Sequence, residues 1–481
     1  MKHERQGRTV PFVVLLGLLG SLAAFSLSAW AQAPGTWKTT GSMTGKTHIG
    51  LPAASRSAGS LTFAVNSTAD LVDANIGDGL CAAANGLCTL RAAIQEANAD
   101  PGGDVITLPS GTYTLTITGA NEEQAATGDL DVTDTVNIVG ASQQQTIIRA
   151  ASGFGDRVFH LMNGATVRIS GLSIENGHAV CCGSGYYWGG GAIYNDGASL
   201  YLSNASIRSN TSDFIGGGVY NTGFALLTSV VVQGNSSSYD GGIRNEGTIQ
   251  FFGGAIVQNS VCCGTGGMSN YGTAKLTDVA VSHNTSGGDS GGIWNAAVLM
   301  LNRDTFVGNT SQTYGGALSV WEGTASLFNV TITGNSAGDG GGISNLNATS
   351  TLVNVTVDGN GAPVGGNIEN QNGIVTLYST IVADSTSGDN CVGLIGSRGY
   401  NLDSQGACQF SQVGDLSGVD PLLGQLARNG GKTETQALSD GSPAIDHIPP
   451  ENCKMNIDQR GVPRPQGVGC DIGAFEKSAQ P

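Results

Sequence analysis

The chain has 481 residues and a formal net charge of −16, and charged residues make up only 12 % of it. Glycine occurs 75 times and apolar residues form 40 % of the sequence, and this combination of low charge and ample apolar content argues against intrinsic disorder. The acidic balance disfavours a polyanionic partner, so we expect no binding to nucleic acid.

Residues 1–31 have the organisation of a secretory signal peptide. "MKHERQGR" is basic, an apolar run extends from Val10 to Leu27, and "SAWAQA" supplies small residues before a cleavage site after Ala31. Cleavage would remove three of the 21 basic and one of the 37 acidic residues, which leaves a net charge of −18. An uncleaved anchor is the alternative, but we expect a mature chain without a transmembrane span, either secreted or at a cell surface.

A flexible linker is expected over residues 32–60 and an N-terminal capping segment over residues 61–104. The capping segment contains a strand, a loop closed by a disulfide between Cys81 and Cys88, and a helix. The apolar residues of this helix share one face, namely Leu90, Ala93, Ile94 and Ala97. We expect the helix to cover the open end of a stacked β-structure, where unpaired strand edges invite aggregation.

Residues 105–410 contain a repeat of about 25 residues. Two glycines, an apolar residue, a variable residue and an asparagine recur, as in "GGIRN" (241–245), "GGIWN" (291–295) and "GGISN" (341–345). The apolar residues of successive copies are spaced 24 to 26 positions apart, at Ile193, Val219, Ile243, Met268, Ile293, Leu318, Ile343 and Ile368. A repeat of this length is too short to form a hydrophobic core by itself. The repeats are therefore expected to stack, so that each covers the apolar face of the next.

A second motif lies between these glycine pairs, as in "LTDVAVSHN" (276–284) and "LFNVTITGN" (327–335). It ends in an asparagine whose amide can donate to one neighbouring copy and accept from the other. The sequence therefore predicts a structural ladder of stacked amides at Asn210, Asn235, Asn259, Asn284, Asn309, Asn335 and Asn360.

Two other repeat architectures fit the sequence less well. A leucine-rich repeat needs a helical or looped convex half, but the corresponding segments, such as "TSGGDSGGIWNAAV", show no helical apolar spacing. Calcium-binding nonapeptide repeats have a period of nine, not 25. The remaining interpretation is an all-β fold, a single-stranded parallel β-helix with about 25 residues per coil.

The ten cysteines fit an oxidising, exported setting. Besides Cys81–Cys88, the spacing suggests two local pairs, Cys391–Cys408 and Cys453–Cys470. The other four form adjacent pairs, Cys181–Cys182 and Cys262–Cys263, for which we expect vicinal disulfides, with a crosslink between the two pairs as the alternative. Neither pair has the two-residue gap of a zinc site, so no metal is expected there.

The candidate catalytic residues are Asp240, Asp289 and Asp339, each just before a glycine pair. Asp289 and Asp339 are two coils apart, about 9.6 Å by strand spacing, which is too far to share one ion unless the side chains converge. We expect no cofactor, with calcium as the alternative, and turn-forming aspartates are the competing interpretation. The scarcity of Lys and Arg between residues 189 and 385 weakens a lyase acting on acidic glycans.

The residue before the first-motif asparagine should point outward from the coil. Tyr194, Tyr220, Arg244 and Trp294 occupy this position and would form a broken ribbon of glycan-contact candidates. Ordinary exposed aromatic residues are the alternative interpretation.

The two ends of the chain resemble a known group. "CTLRAAIQEAN" resembles the N-terminal box of CSLREA-type exported proteins, and "VDPLLGQLARNGG" with "DQRGVPRPQGVGCDIGAFE" resembles the choice-of-anchor Q domain. The coils are similar to polymorphic outer-membrane-protein repeats and to right-handed, pectate-lyase-like β-helices. The resemblance implies an extracellular bacterial right-handed β-helix with a cap at residues 411–481, and it implies no established activity. The usual surface-sorting tail is missing after "KSAQP", which leaves simple secretion equally open.

These features favour an adhesion, glycan-contact or structural protein without established catalysis. The partner would be an extracellular glycan or a host or matrix surface, bound by a monomer. The alternative is a polysaccharide lyase or glycoside hydrolase acting on an extended glycan along one face of the β-helix.

Overall fold

The computed structural model describes residues 59–119, 122–180 and 189–478. The predicted signal peptide and nearly all of the linker lie outside these residues, as do Cys181 and Cys182. In the described part of the chain, β-strands are accompanied by one α-helix, Leu90–Ala99, and one 3-10 turn, Pro450–Asn452. The prediction of an all-β fold is confirmed.

The largest sheet consists of two parallel stacks joined by three ten-residue strands, Phe224–Gln233, Thr248–Val257 and Thr273–Ser282. The first stack contains Thr62–Ala64, Asp104–Leu108, Val136–Gly140, Thr166–Ser170, Ser199–Ser203, Val298–Asn302, Thr324–Phe328, Thr349–Val353, Ile374–Tyr378 and Ile395–Ser397. The second stack contains Gly111–Leu115, Thr146–Ala150, Ser173–Glu175, Ser206–Arg208, Thr305–Val307, Thr331–Thr333, Thr356–Asp358, Ile381–Ala383, Leu402–Asp403 and Leu416–Ser417.

Two further parallel sheets form other sides of the coils, and the third sheet spans only part of the stack. The second sheet contains Leu130–Val132, Phe159–Leu161, Ile193–Asn195, Val219–Asn221, Ile243–Asn245, Met268–Asn270, Ile293–Asn295, Leu318–Trp321, Ile343–Leu346, Ile368–Gln371 and Cys391–Val392. The third sheet contains the two-residue strands His178–Ala179, Thr211–Ser212, Ser236–Ser237, Ser260–Val261, Thr285–Ser286 and Thr310–Ser311.

The strand register shows that equivalent residues of successive repeats lie one above the other. Ile293, for example, pairs with Met268 on one side and Leu318 on the other. All eight apolar residues of the first repeat motif are fully buried. The parallel β-helix of about 25 residues per coil is therefore confirmed, with its core inside the coils.

The coils approach closely because the corners before the second sheet consist of glycine pairs. A Cβ atom on Gly267 would collide with the carbonyl oxygen of Gly292 in the next coil. The repeated glycines are thus required by the stacking itself.

The structure joins the seven asparagines of the second motif in one buried ladder. In each step the side-chain amide of one asparagine donates to Oδ1 of the next, over 2.8–3.1 Å. Where Ser385 replaces the asparagine, the side chain of Asn367 continues the ladder by accepting from Asn360 and donating to Asn390. Each coil is therefore fixed to the next by side chains as well as by backbone pairing.

A second ladder runs along the second sheet. Asn195, Asn221, Asn245 and Asn270 each donate from Nδ2 to Oδ1 of the next asparagine over 2.5–2.7 Å, and Asn295 accepts the last of these bonds. Because Val320 occupies the next position, the ladder ends at Asn295, which keeps only the bonds to the backbone carbonyls of Ala297 and Thr324.

The N-terminal helix is anchored by a fully buried arginine. Arg91 forms an ion pair with Asp70 at 2.6 Å and donates to the carbonyl oxygens of Ala125, Gly128 and Asp129. The residues 122–129, which we call the crossing segment, are thereby fixed to the helix. The sequence motif around Arg91 thus serves to organise the first coils.

The C-terminal segment makes contacts with the sides of several coils. Residues 423–476 begin with an antiparallel hairpin, Leu423–Ala427 with Thr435–Leu438, and part of the segment lies along the outside of the coils. Lys432 pairs with Asp278 at 3.3 Å and Gln436 donates to Asp358 at 2.7 Å, three coils further on. These contacts provide partners for acidic side chains on the outside of the coils.

The predicted local disulfides are confirmed, but one vicinal pair is not formed. Cys81–Cys88, Cys391–Cys408 and Cys453–Cys470 are bonded. Cys262 and Cys263 are exposed free thiols, which corrects the expectation of a vicinal disulfide. Adjacent Cα atoms lie about 3.8 Å apart across a trans peptide, below the usual disulfide separation of roughly 4.4–6.8 Å.

We expect alkylation of the unreduced, denatured protein to label Cys262 and Cys263 and to leave the three disulfides unlabelled. Peptide mapping by mass spectrometry checks this assignment. An unlabelled peptide that contains Cys262 and Cys263 and is lighter by two hydrogen atoms would show a vicinal disulfide and would contradict the assignment of free thiols.

Candidate functional site

The second sheet displays one column of side chains outward from the coils. In chain order the column reads Asp131, His160, Tyr194, Tyr220, Arg244, Ser269, Trp294, Ser319, Ser344 and Glu369. The alternation of strand side chains places these residues outside because their neighbours on both sides are buried. The candidate functional side chains lie in or beside this column.

A cleft of about 310 Å³ lies beside the middle of the column. It contains two of the predicted catalytic candidates and one of the predicted contact residues. Its lining residues are Phe214, Ile215, Tyr239, Asp240, Arg244, Glu246, Gly264, Ser269, Tyr271 and Asp289.

Arg244 organises the polar side of this cleft. Its guanidinium donates to Glu246 at 2.8 Å and pairs with Asp240 at 3.4 Å. The same guanidinium stacks 3.7 Å above the ring of Tyr271. The Tyr220 hydroxyl donates to Glu246 at 3.1 Å, so the arginine is held in one orientation from several sides.

Aromatic rings form the rest of the surface. Tyr271 packs against Trp294 with ring centroids 4.7 Å apart, and Phe214 meets Tyr239 edge-on at 5.2 Å. Tyr239 and Tyr271 are 47 % and 43 % exposed. These rings present apolar area to solvent beside charged groups, a combination typical of binding sites.

Two carboxyl groups of the cleft differ in environment. Burial raises the pKa of Asp240 to about 6, although the neighbouring Arg244 opposes the shift. Asp289 is exposed at the rim, and partial desolvation raises its pKa. A carboxyl group that stays protonated up to about pH 6 beside a more open one is the arrangement that acid–base chemistry uses.

The remaining predicted site residues divide between the cleft and its surroundings. Trp294 extends the cleft through Tyr271, whereas Asp339 lies outside it on a later coil. Tyr194 belongs to the outward column but is only 6 % exposed, because its ring is stacked between His160 at 5.1 Å and Tyr220 at 4.9 Å. The sequence predicts Tyr194 as an accessible glycan-contact residue, but its ring is buried in this stack.

Sequence reasoning missed a second group of residues at the start of the column. Asp131 and His160 face each other on adjacent coils, with Oδ1 and Nδ1 3.1 Å apart, and Asp129 lies beside them. Burial raises the pKa of Asp129 well above its ordinary value, and the neighbouring carboxylate of Asp156 adds to the shift. We call Asp129, Asp131 and His160 the N-terminal cluster.

The signal for this cluster was present in the sequence. Leu130 and Phe159 occupy the same column as Ile193, so "LDV" and "FHL" are earlier copies of the repeat that lack the glycine pair. The spacing obscures this signal, because His160 lies 34 residues before Tyr194 and Asp131 lies 29 residues before His160, so the 25-residue period extended backwards does not reach either residue.

We expect the protein to be more stable near pH 5 than near pH 8. Burial raises the pKa of Asp240 and Asp358 to about 6 and that of Asp471 to about 7. Between the unfolded and folded values the folded chain binds more protons, so the free energy of unfolding falls as the pH rises through this interval. Thermal unfolding at both pH values checks the sign, and Asp240→Asn should reduce the difference. A melting temperature that rises from pH 5 to pH 8 would contradict the assignment.

Comparisons with known proteins establish neither a family nor an activity for this chain. No protein-family model and no curated protein matches the chain. Among solved structures, the crystal structure of pectate lyase Pel9A matches 87 % of this chain and 97 % of its own, with 14 % sequence identity and a TM-score of 0.43. That similarity is too low to support an argument, so the site must be judged on its own geometry.

The described residues include no helix with the length and apolar character needed to cross a bilayer. The three disulfides are typical of exported proteins.

Proposed function

We propose that this β-helix protein is exported and binds an extended extracellular glycan along the outward column of the second sheet. The observation that carries the proposal is the packing of Arg244 on Tyr271 and of Tyr271 on Trp294, beside a cleft with further exposed rings. Sugar rings present apolar faces that stack on aromatic side chains, while their hydroxyls hydrogen-bond to charged groups. A stack of coils repeats such contacts at about 4.8 Å spacing, which suits a polymer.

The charge of the cleft favours a neutral glycan over a uronate polymer. Asp240, Glu246 and Asp289 supply carboxyl groups, and Arg244 is the cation that lines the cleft. Arg244 is already paired with two of these carboxylates, so little positive charge remains for an acidic sugar. Repulsion between like charges would oppose the binding of polygalacturonate.

Binding to a glycan array, followed by calorimetric titration of the strongest neutral oligosaccharide, tests the proposal. We expect Trp294→Ala and Tyr271→Ala each to weaken binding by about 30-fold, the effect of removing an aromatic hot spot. Tyr201→Ala is the matched control, because Tyr201 also stacks with an arginine, Arg168, but on the largest sheet. Absence of glycan binding, or equal losses in all three variants, would contradict the proposal.

Catalysis in the same cleft is the second candidate, and the raised pKa of Asp240 favours it. Asp240 would act as the general acid and Asp289 as the base that activates water. The two residues come from coils two turns apart, about 9.6 Å by strand spacing, close to the upper end of the roughly 6.5–9.5 Å typical of inverting glycosidases. Release of reducing ends from the bound oligosaccharide, abolished by Asp240→Asn and by Asp289→Asn, would establish this activity. Binding without turnover would leave the protein a glycan-contact module.

A further inference from the structure

The N-terminal cluster combines two carboxylates and an imidazole in a buried position. Ligand atoms of Asp129, Asp131 and His160 all lie within 4.8 Å of one another. The three residues are 5 %, 0 % and 4 % exposed. The cluster lies below the aromatic stack of Tyr194 and is separate from the cleft at Arg244.

The carboxylate of Asp129 is poorly satisfied in this position. Among the described residues no hydrogen bond reaches its oxygens, and its charged contact is Arg157 Nε at 3.7 Å, beyond hydrogen-bond distance. Its side chain is only 8 % exposed. A buried carboxylate without hydrogen-bond donors is costly, and a coordinated cation is one of the few ways to stabilise it.

The other two residues are already close to the spacing of metal ligands. Oδ1 of Asp131 and Nδ1 of His160 are 3.1 Å apart, while two donors at 2.0–2.2 Å from a tetrahedral zinc ion lie about 3.3–3.6 Å apart. Oδ2 of Asp131 accepts from the backbone amide of Ala125 at 3.0 Å, which fixes the carboxylate from behind in the manner of an outer-shell partner.

The surrounding fold holds these residues rigidly. Asp131 and His160 belong to adjacent strands of the second sheet, and Asp129 lies in the crossing segment that Arg91 binds. Carboxylate and imidazole donors together suit divalent transition ions such as Zn²⁺ or Mn²⁺ better than Ca²⁺, which prefers oxygen ligands alone.

We propose that Asp129, Asp131 and His160 bind one divalent transition-metal ion that joins the first two coils of the second sheet to the crossing segment. The bound ion takes Nδ1 of a neutral His160 as a ligand, so the imidazole proton stands on Nε2, on the side of Asp196, and the two carboxylates balance the charge of the ion. Burial of all three ligands assigns the ion a structural role. It lies at the N-terminal end of the β-helix, where strands have fewest neighbours.

The exposed thiols of Cys262 and Cys263 could bind the same metals, so the test uses untagged protein with alkylated thiols, dialysed against a chelator. Calorimetric titration with ZnCl₂, MnCl₂ and CaCl₂ measures affinity, and elemental analysis after gel filtration measures stoichiometry. We expect one Zn²⁺ or Mn²⁺ per chain, and a melting temperature about 3 °C higher at a hundredfold excess over Kd.

Asp129→Asn, which keeps the side-chain shape, and His160→Gln should each lower the affinity by at least about 100-fold. His178→Gln is the matched control, because His178 also pairs with an aspartate, Asp213, but lies outside the cluster. It should bind the ion like the unaltered chain. Circular dichroism of the metal-free variants shows whether they retain the β-structure.

Three results would overturn the proposal. The first is that the alkylated protein shows no saturable binding of Zn²⁺ or Mn²⁺. The second is that both cluster variants bind these ions as tightly as the unaltered chain. The third is that the protein binds Ca²⁺ more tightly than Zn²⁺ and Mn²⁺. The first result does not depend on any variant and stands even if the substitutions impair folding.

Discussion

Replacement of Arg91 by methionine is expected to destabilise the N-terminal coils by about 3–5 kcal/mol, the cost of removing one partner from a buried ion pair. Arg91 is fully buried and pairs with Asp70 at 2.6 Å. It also donates to three backbone carbonyls of the crossing segment. Methionine fills most of the volume of the arginine side chain. The loss of stability therefore reflects the missing hydrogen bonds and the unpaired carboxylate of Asp70 rather than a cavity.

Amide hydrogen exchange combined with denaturant unfolding measures this effect. Stacked repeats can open locally, so protection should fall most in the helix and in the crossing segment. Arg149→Met is the control, because Arg149 is exposed, and it should change stability by less than about 0.5 kcal/mol. Equal stability of the two variants would show that Arg91 does not anchor the cap.

Replacement of Asn284 by alanine is expected to cost at least about 3 kcal/mol in the middle of the coils. Asn284 donates from Nδ2 to Ile256 and to Asn309, and its Oδ1 accepts from the backbone and side-chain amides of Asn259. Alanine would leave buried groups on both neighbouring coils without partners, at about 1–3 kcal/mol for each unsatisfied group.

The denaturant midpoint and the exchange rates of the coils next to Asn284 measure this loss. Asn163→Ala provides the control, since Asn163 is exposed and lies outside both ladders. A midpoint for Asn284→Ala as high as that of the control would mean that backbone pairing alone stabilises the stack.

The coil period and the core could be predicted because the same physical requirement recurs in every repeat. Ile293 and its counterparts fill one inward position, and the ladder asparagines fill one polar position, so each copy reinforces the interpretation. Local disulfides such as Cys81–Cys88 followed from short spacing.

Other features depend on contacts between distant segments, which spacing does not encode. The packing of Gln436 against Asp358 required the structure, because the C-terminal segment has no repeat register. The stack that covers Tyr194 involves His160, from a coil without the glycine pair. Tyr271 lies outside the outward column, so its position between Arg244 and Trp294 could not be read from the repeat.

The most direct test of a glycan-contact surface on the second sheet is a crystal structure of the protein with the neutral oligosaccharide that binds most tightly. We expect sugar rings packed against the exposed parts of Tyr271 and Trp294, with hydroxyls hydrogen-bonded to Arg244 and Glu246. A sugar bound on the largest sheet, or on the C-terminal segment, with this cleft empty would contradict the account.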